Sequence, residues 1–251
     1  MTKTIFITGA TSGFGKAMAD RFASEGWQLI ITGRRAERLE EIKAELAPAK
    51  VHTIAYDVSD KQACMDAVAN LPKEFKNVDI LVNNAGLALG MEPAQEAKID
   101  DWETMIDTNI KGLTYMTRAV LPGMVERDKG HVVNLGSVAG TYPYPGGNCY
   151  GGTKAFVNHF SKNLRADLFG TKVRVTNIEP GLCETECSEV RFKGNKDAAD
   201  GVYKGMDPIV ADDIAEIVYW TTTLPAHVNI NALEVMPVAQ TFSAFAIDRG
   251  E

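Results

Sequence analysis

Tyr150 and Lys154 stand four residues apart. On a helix that spacing puts both side chains on one face, with an ammonium beside a phenol. A free phenol titrates near about 10, too high for a base at neutral pH, and a neighbouring cation favours the phenolate and lowers that value. The pair could therefore exchange a proton with an oxygen of a bound molecule. Ser137 lies upstream, where its hydroxyl could polarise the same oxygen. Asn109 falls inside a long helical pattern that it could kink, holding a water that links Lys154 to solvent. Alone, Tyr-x-x-x-Lys is a common pattern of surface helices, where packing and solubility explain it.

A second group of residues suits a phosphate-bearing ligand. Gly9-Ala10-Thr11-Ser12-Gly13-Phe14-Gly15 follows a short β-branched run and precedes an amphipathic segment. Glycines there let the backbone approach a pyrophosphate, whose charge is stabilised by the unpaired N–H groups of a helix N-terminus. The spacing is Gly-x-x-x-Gly-x-Gly rather than Gly-x-Gly-x-x-Gly, and an ordinary tight turn would also use glycines. About twenty residues on, an NAD site offers a carboxylate to the adenosine ribose. Here the chain reads Gly33-Arg34-Arg35. Cations are unfavourable at a helix N-terminus unless an anion joins them, and two guanidiniums suit a ribose 2′-phosphate, which points to NADP(H). Asp57-Val58 could hold the adenine amino group, and the Asn83-Asn84-Ala85-Gly86 turn could shape the wall beside the ribose.

The elements that must position these residues alternate from the first residue. Strands are expected at Thr4–Thr8, Gln28–Thr32, Val51–Ala55, Asp79–Val82, His131–Leu135, Lys172–Asn177 and Ala232–Met236. Helices are expected at about Gly13–Glu25, Ala36–Leu46, Asp60–Asn70, Asp100–Arg127, Tyr150–Phe169 and Ala211–Thr222. The alternation implies an α/β fold, a Rossmann-like doubly wound seven-stranded parallel sheet with helices on both faces. Ligands of such sheets bind at the carboxyl ends of the strands, where strand order reverses. With no linker or repeat, the 251 residues read as one domain, with a long irregular stretch at Cys183–Asp207 and a C-terminal tail from about residue 238.

Composition narrows the partners. A formal charge of −7 argues against nucleic acid, whose phosphates need a clustered excess of Lys and Arg. No uninterrupted apolar run is long enough to span a bilayer and no signal-peptide pattern opens the chain, so a cytoplasmic protein is expected. Cys64, Cys149, Cys183 and Cys187 are too few and too irregular for a disulfide scaffold and lack a second pair at zinc spacing, so free thiols and no metal are expected.

Taken together, TGATSGFG, NNAG, Asn109, Ser137, YGGTK and the Pro180-Gly181 turn resemble the short-chain dehydrogenase/reductase family along essentially the whole chain. The resemblance implies a catalytic Ser137, Tyr150 and Lys154, with Asn109 as proton-relay member. It implies that Gly9, Ser12, Gly13, Gly15, Arg34, Arg35, Asp57, Val58, Asn83, Gly86 and Leu182 line the NADP site, with Thr11, Phe14, Ala85, Pro180, Gly181 and Thr185 beside them. A closer similarity runs through NNAGLALGMEPA, DWETMIDTN, IEPGL, EVRFKG and TLPAHVNIN, which look like the bacterial NADP-dependent 3-hydroxy acid dehydrogenases acting on serine, allo-threonine and 3-hydroxypropanoate. Some members of that group instead reduce sulfoacetaldehyde to isethionate. The Cys183-Glu184-Thr185-Glu186-Cys187 stretch departs from the smaller, glycine-containing loop expected there and leaves the acid open.

A small acid needs a counter-charge, and Arg191 can hold a carboxylate or a sulfonate through paired hydrogen bonds, with Lys193 a weaker choice. A surface ion pair with Glu186 or Glu189 is the plainer reading of Arg191. Tyr144 and Asn148 could add orienting hydrogen bonds. The Cys183–Asp207 stretch is expected to close over the acid and exclude water. Phe242, Phe245 and Ile247 give the tail more apolar surface than a free terminus should expose, which suggests a homo-oligomer, and the resemblance implies a tetramer. Two other classes share the pattern: a non-catalytic NADP sensor, which would have no need of Ser137, Tyr150 and Lys154 together, and a reductase of an uncharged substrate.

Overall fold

The computed structural model describes residues 2–184, 191, 201–242 and 247. Its strands are β1 (Thr4–Ile7), β2 (Gln28–Gly33), β3 (Val51–Ala55), β4 (Ile80–Asn83), β5 (Gly130–Leu135), β6 (Val173–Pro180) and β7 (Ala232–Val235). All pair in parallel in one sheet of order β3-β2-β1-β4-β5-β6-β7. Among the described residues the α-helices are α1 (Gly13–Ser24), α2 (Ala36–Glu45), α3 (Lys61–Ala69), α4 (Ile99–Ile106), α5 (Leu113–Glu126), α6 (Asn148–Asp167) and α7 (Ala211–Thr223).

Burial explains why the strands read as unbroken apolar runs: both faces of the sheet are covered. Along β1, Ile5 and Ile7 pack with Met18 and Phe22 of α1, Leu39 and Ile42 of α2, and Ile214 and Val218 of α7. Phe6 points the other way, into a cluster with Cys64 of α3, Met116, Val120 and Met124 of α5, and Leu164 of α6. Each such fully buried side chain contributes about 1.5–3 kcal/mol, so either layer of helices is anchored by its own apolar stripe. Strand order reverses between β1 and β4, and the crevice above their carboxyl ends is the place for a ligand.

Three expectations are refined. The long helix does run from Ile99 to Glu126, but residues Asp107–Gly112 are wound as a π-helical turn around Asn109. Helix α6 starts at Asn148, which places Tyr150 inside its first turn. Strand β6 continues beyond Asn177 to Pro180, which pairs with Val235, so the turn begins at Gly181. A proline that closes a strand gives up only one N–H, and the ladder ends there in any case.

Candidate active site

The loops after β1 and β4 are zipped together at the strand reversal. Thr8 Oγ1 accepts the backbone N–H groups of Asn84 and Ala85, each at 3.0 Å, while Asn84 Nδ2 donates to the carbonyls of Thr8 at 2.9 Å and Gly9 at 3.0 Å. The approach is so close that glycine is required: Gly9 has φ +66°, and a Cβ on it would lie 2.9 Å from Ala85 Cα. A Cβ on Gly15 would run into the Gly9 carbonyl. Ser12 makes no side-chain cap on α1, and no acidic residue occupies its first turn, so the positive end of this helix is left to an anion.

At the end of β2, Arg35 Nη2 donates to Thr11 Oγ1 at 2.9 Å and reaches the Thr11 carbonyl at 3.3 Å. Arg34 is 71 % exposed and lies 3.8 Å from Asp57 Oδ2, a loose pair that a phosphate can replace. The other Asp57 oxygen accepts the Ser59 N–H at 2.9 Å and its hydroxyl at 2.8 Å. The donor set of this rim, two guanidiniums above an uncapped helix N-terminus, fits a dinucleotide carrying an extra phosphate. The Val58 and Asn83 side chains also hold the scaffold together. The Val58 side chain is buried against Gly112 of the π-helical turn. Asn83 Nδ2 donates to Thr117 Oγ1 and Asn134 Oδ1, both at 2.9 Å, in a buried ladder below the crevice. Phe14 packs against the core. Thr185 lies outside the described residues.

The proton-handling groups meet beside this crevice. Lys154 is 8 % exposed, its Nζ donates to the Leu135 carbonyl at 2.8 Å, and it stands 5.7 Å from the centre of the Tyr150 ring. Asn109, in the π-helical turn, accepts the Leu87 N–H at 2.9 Å and donates to the Leu87 carbonyl at 2.8 Å and to Thr153 Oγ1 at 3.0 Å. Gly86 is bare where a Cβ would lie 3.2 Å from Asn109 Oδ1 and 3.6 Å from Lys154 Nζ. Ser137 leads into a 3-10 turn, Val138–Gly140; its hydroxyl accepts the Ala139 N–H at 3.1 Å and donates to the Pro180 carbonyl at 3.3 Å. That turn seats on α6: a Cβ on Gly140 would be 2.7 Å from the Lys154 carbonyl carbon.

Arg191 joins the same cluster from the distant part of the chain. Its guanidinium carbon lies 5.6 Å from the Tyr150 ring centre and 5.4 Å from that of Tyr144, and Nη2 donates to the Tyr144 hydroxyl at 2.7 Å. Gly90 clasps it, donating its N–H to the Arg191 carbonyl at 3.3 Å and accepting Nε at 3.4 Å. Asn148 is turned elsewhere: Nδ2 donates to the Glu92 carbonyl at 3.0 Å and Oδ1 accepts Trp102 Nε1 at 3.0 Å. It ties α4 to the start of α6. Glu186, Glu189 and Lys193, the other charges weighed for this loop, lie outside the described residues, as does most of the expected Cys183–Asp207 closure. Thr8, Thr153 and Gly90 were not singled out from the sequence, because single polar or glycine residues carry no spacing signal; Asn84 was noted only as part of the Asn83–Gly86 turn. No group of metal-ligating side chains occurs among the described residues.

This geometry has close counterparts. Serine 3-dehydrogenase of Agrobacterium fabrum (strain C58 / ATCC 33970) is 58% identical over 249 residues, covering 99% of both chains. An NADP-dependent 3-hydroxy acid dehydrogenase of Escherichia coli (strain K12) is 56% identical over 246 residues, 98% of this chain and 99% of that one. Among solved structures, the closed form of a serine dehydrogenase complexed with NADP+ superposes with a TM-score of 0.94 at 57% identity, covering 96% of this chain and 97% of that one. The short chain dehydrogenase family profile matches residues 3–196, and with relatives this similar along nearly the full length the chain belongs to that family.

Proposed function

We propose that this chain is an NADP(H)-dependent oxidoreductase interconverting a small anionic hydroxy compound, a 3-hydroxy acid such as serine or 3-hydroxypropanoate, with its carbonyl form. The observation that carries the reading is the guanidinium of Arg191 held 5.6 Å from the Tyr150 ring, a counter-charge beside the acid–base group. The relatives, a serine 3-dehydrogenase and a 3-hydroxy acid dehydrogenase, favour a carboxylate over the sulfonate of sulfoacetaldehyde.

NADP, when bound, supplies or accepts a hydride. The α1 N-terminus and the glycine turn hold its pyrophosphate, and Arg34 and Arg35 take the 2′-phosphate in place of Asp57 and Thr11. Tyr150 exchanges the proton at the substrate oxygen, and Ser137 hydrogen-bonds the same oxygen. The buried cation of Lys154 favours the phenolate. Both amide hydrogens of Asn109 are used on the Leu87 carbonyl and Thr153, so it holds those residues in place, and its Oδ1, which accepts the Leu87 N–H, keeps a second lone pair for a relay water. Arg191 takes the carboxylate, oriented by Tyr144.

The reading extends to one domain of 251 residues acting as a homo-oligomer, since Val238 is fully exposed and Phe242 is 58% exposed on the segment after β7, and the family resemblance implies a tetramer. Light scattering on the purified protein measures that directly. No helix among the described residues is long and apolar enough to cross a membrane.

The test follows NADPH absorbance with malonic semialdehyde, sulfoacetaldehyde and an uncharged aldehyde of similar size, with Arg191→Ala in parallel. Charge-assisted hydrogen bonds are worth about 1.5–3 kcal/mol, so kcat/KM for the preferred anion should fall about 10- to 150-fold in the variant and stay level for the uncharged aldehyde. Equal rates on the uncharged aldehyde, or an unaffected variant, sink the small-acid reading.

A further inference from the structure

The segment that follows β7 returns to the crevice from the edge of the sheet. Gln240 is 7 % exposed, and its Oε1 accepts the backbone N–H of Leu182 at 2.8 Å. Its Nε2 is buried with no partner among the described residues, so what the amide contributes there is an acceptor. Gly181 makes room for it, since a Cβ there would run into Oε1 and lie 3.1 Å from Met236 Cγ.

Beyond Leu182 the backbone is held from the opposite side. Ile209 N–H donates to the Leu182 carbonyl at 3.3 Å, and the Tyr203 hydroxyl donates to the Cys183 carbonyl at 2.7 Å. The chain just before is tied to the acid–base group, because Ser137 donates to the Pro180 carbonyl. The same tail touches a second active-site loop: the Phe242 ring lies 5.2 Å from that of Tyr142, two residues before Tyr144.

We propose that Gln240 is a positioning residue for the reaction. Through the Leu182 N–H it fixes the path of Gly181 and Leu182 as they leave β6 beside Ser137, and so sets the seat of the cofactor's reactive end. The proposal rests on the reading that these residues line the NADP site. A buried acceptor on a backbone N–H orders the loop before the ligand arrives, so its loss raises the cofactor dissociation constant more than it slows turnover.

Gln240→Glu keeps an acceptor of the same reach, whereas Gln240→Leu removes it. NADPH binding is read by fluorescence without substrate, so an error about the acid leaves that measurement untouched, and kcat is followed separately with whichever aldehyde the wild type reduces. The Leu variant is expected to bind NADPH about 5- to 10-fold more weakly, with kcat within about twofold, and to lose hydrogen-exchange protection in the peptide containing Leu182. The Glu variant should restore both. Should the Leu variant fold poorly, Gly181→Ala gives the same information: it should weaken NADPH binding in the wild-type background and add little in Gln240→Ala, where the obstructing Oε1 is gone. Wild-type affinity in Gln240→Leu, or equal impairment of the Glu and Leu variants, overturns the proposal. A wild-type protein that binds no NADPH overturns the reading of the site as well.

Discussion

At the scale of single residues, the ammonium of Lys154 donates to the Leu135 carbonyl at 2.8 Å, stands 5.7 Å from the centre of the Tyr150 ring and belongs to a buried residue. Replacing it by Met keeps the stem and removes the charge that favours the phenolate. A fall in kcat of about 10²–10⁴-fold at pH 7 is expected, the size of a lost general acid–base contribution, and full activity in Lys154→Met would remove Lys154 from the mechanism. Tyr144 acts one step further out. Tyr144→Phe deletes the acceptor at 2.7 Å from Arg191 Nη2 but leaves the ring under the guanidinium. Steady-state assays should show kcat/KM for the anion down about 5- to 10-fold, less than for Arg191→Ala, with the double variant no worse than Arg191→Ala because the two act as one unit. Tyr150, Lys154 and Arg191, named from the sequence for their side-chain chemistry, are brought together in the structure, and Ser137 leads the turn that seats on α6. Asparagine is not so readable. Asn83 and Asn148 share their residue type with Asn109, yet strand alternation turns one into the buried ladder and Trp102 captures the other.

At the scale of elements, the interrupted helix from Ile99 to Glu126 explains how Asn109 comes to face the crevice. A π-helical turn inserts one extra residue per turn, which rotates the following face and lets the side chain reach the Leu87 backbone on the neighbouring loop. The apolar periodicity predicts a helix on both sides and is blind to the turn, because π- and α-windings bury nearly the same residues. Gly112 is where the turn meets α3's leading loop: a Cβ there would lie 2.8 Å from Val58 Cγ2 and 3.1 Å from the Val58 carbonyl oxygen. Val58 is itself buried and cannot step aside without moving backbone. Gly112→Ala is therefore expected to cost about 1–3 kcal/mol in urea unfolding and to lower kcat through the displaced Asn109, even though alanine is the better helix former. An unchanged midpoint would show that the π-helical turn is not pinned by this contact. The strands, by contrast, were legible almost to the residue, since a sheet buried on both faces leaves continuous β-branched runs bounded by polar residues; β2 and β4 outran their expected ends by one residue and β6 by three, where Pro180 still fits the last position.

At the scale of the whole molecule, the sheet carries its own pH dependence. His131 is the second residue of β5, buried, with Nε2 on Thr176 Oγ1 at 2.7 Å and Nδ1 without a partner among the described residues. Burial, and then the Arg174 cation paired with it across the sheet, push its pKa down to about 3 from an ordinary 6.5. The unfolded chain therefore binds a proton that the folded one refuses. Stability is fully present above about pH 6.5 and is lost as pH falls from there towards 3. Glu179 works in the opposite sense: burial raises its carboxyl above the ordinary 4.5, so what it contributes is present below that value and is lost as pH rises through its folded pKa. Between pH 6.5 and 4.5 the histidine dominates, because its shift is large and its window spans the whole interval. Two pH units at about 1.4 kcal/mol each give a loss of roughly 2–3 kcal/mol, measurable as a falling urea midpoint. His131→Gln keeps a hydrogen-bonding end for Thr176 and does not titrate, so its midpoint should start lower at pH 7 but decline with a slope smaller by about one proton. Parallel slopes for the two proteins would place the acid sensitivity in some other group and leave His131 a merely structural partner of Thr176.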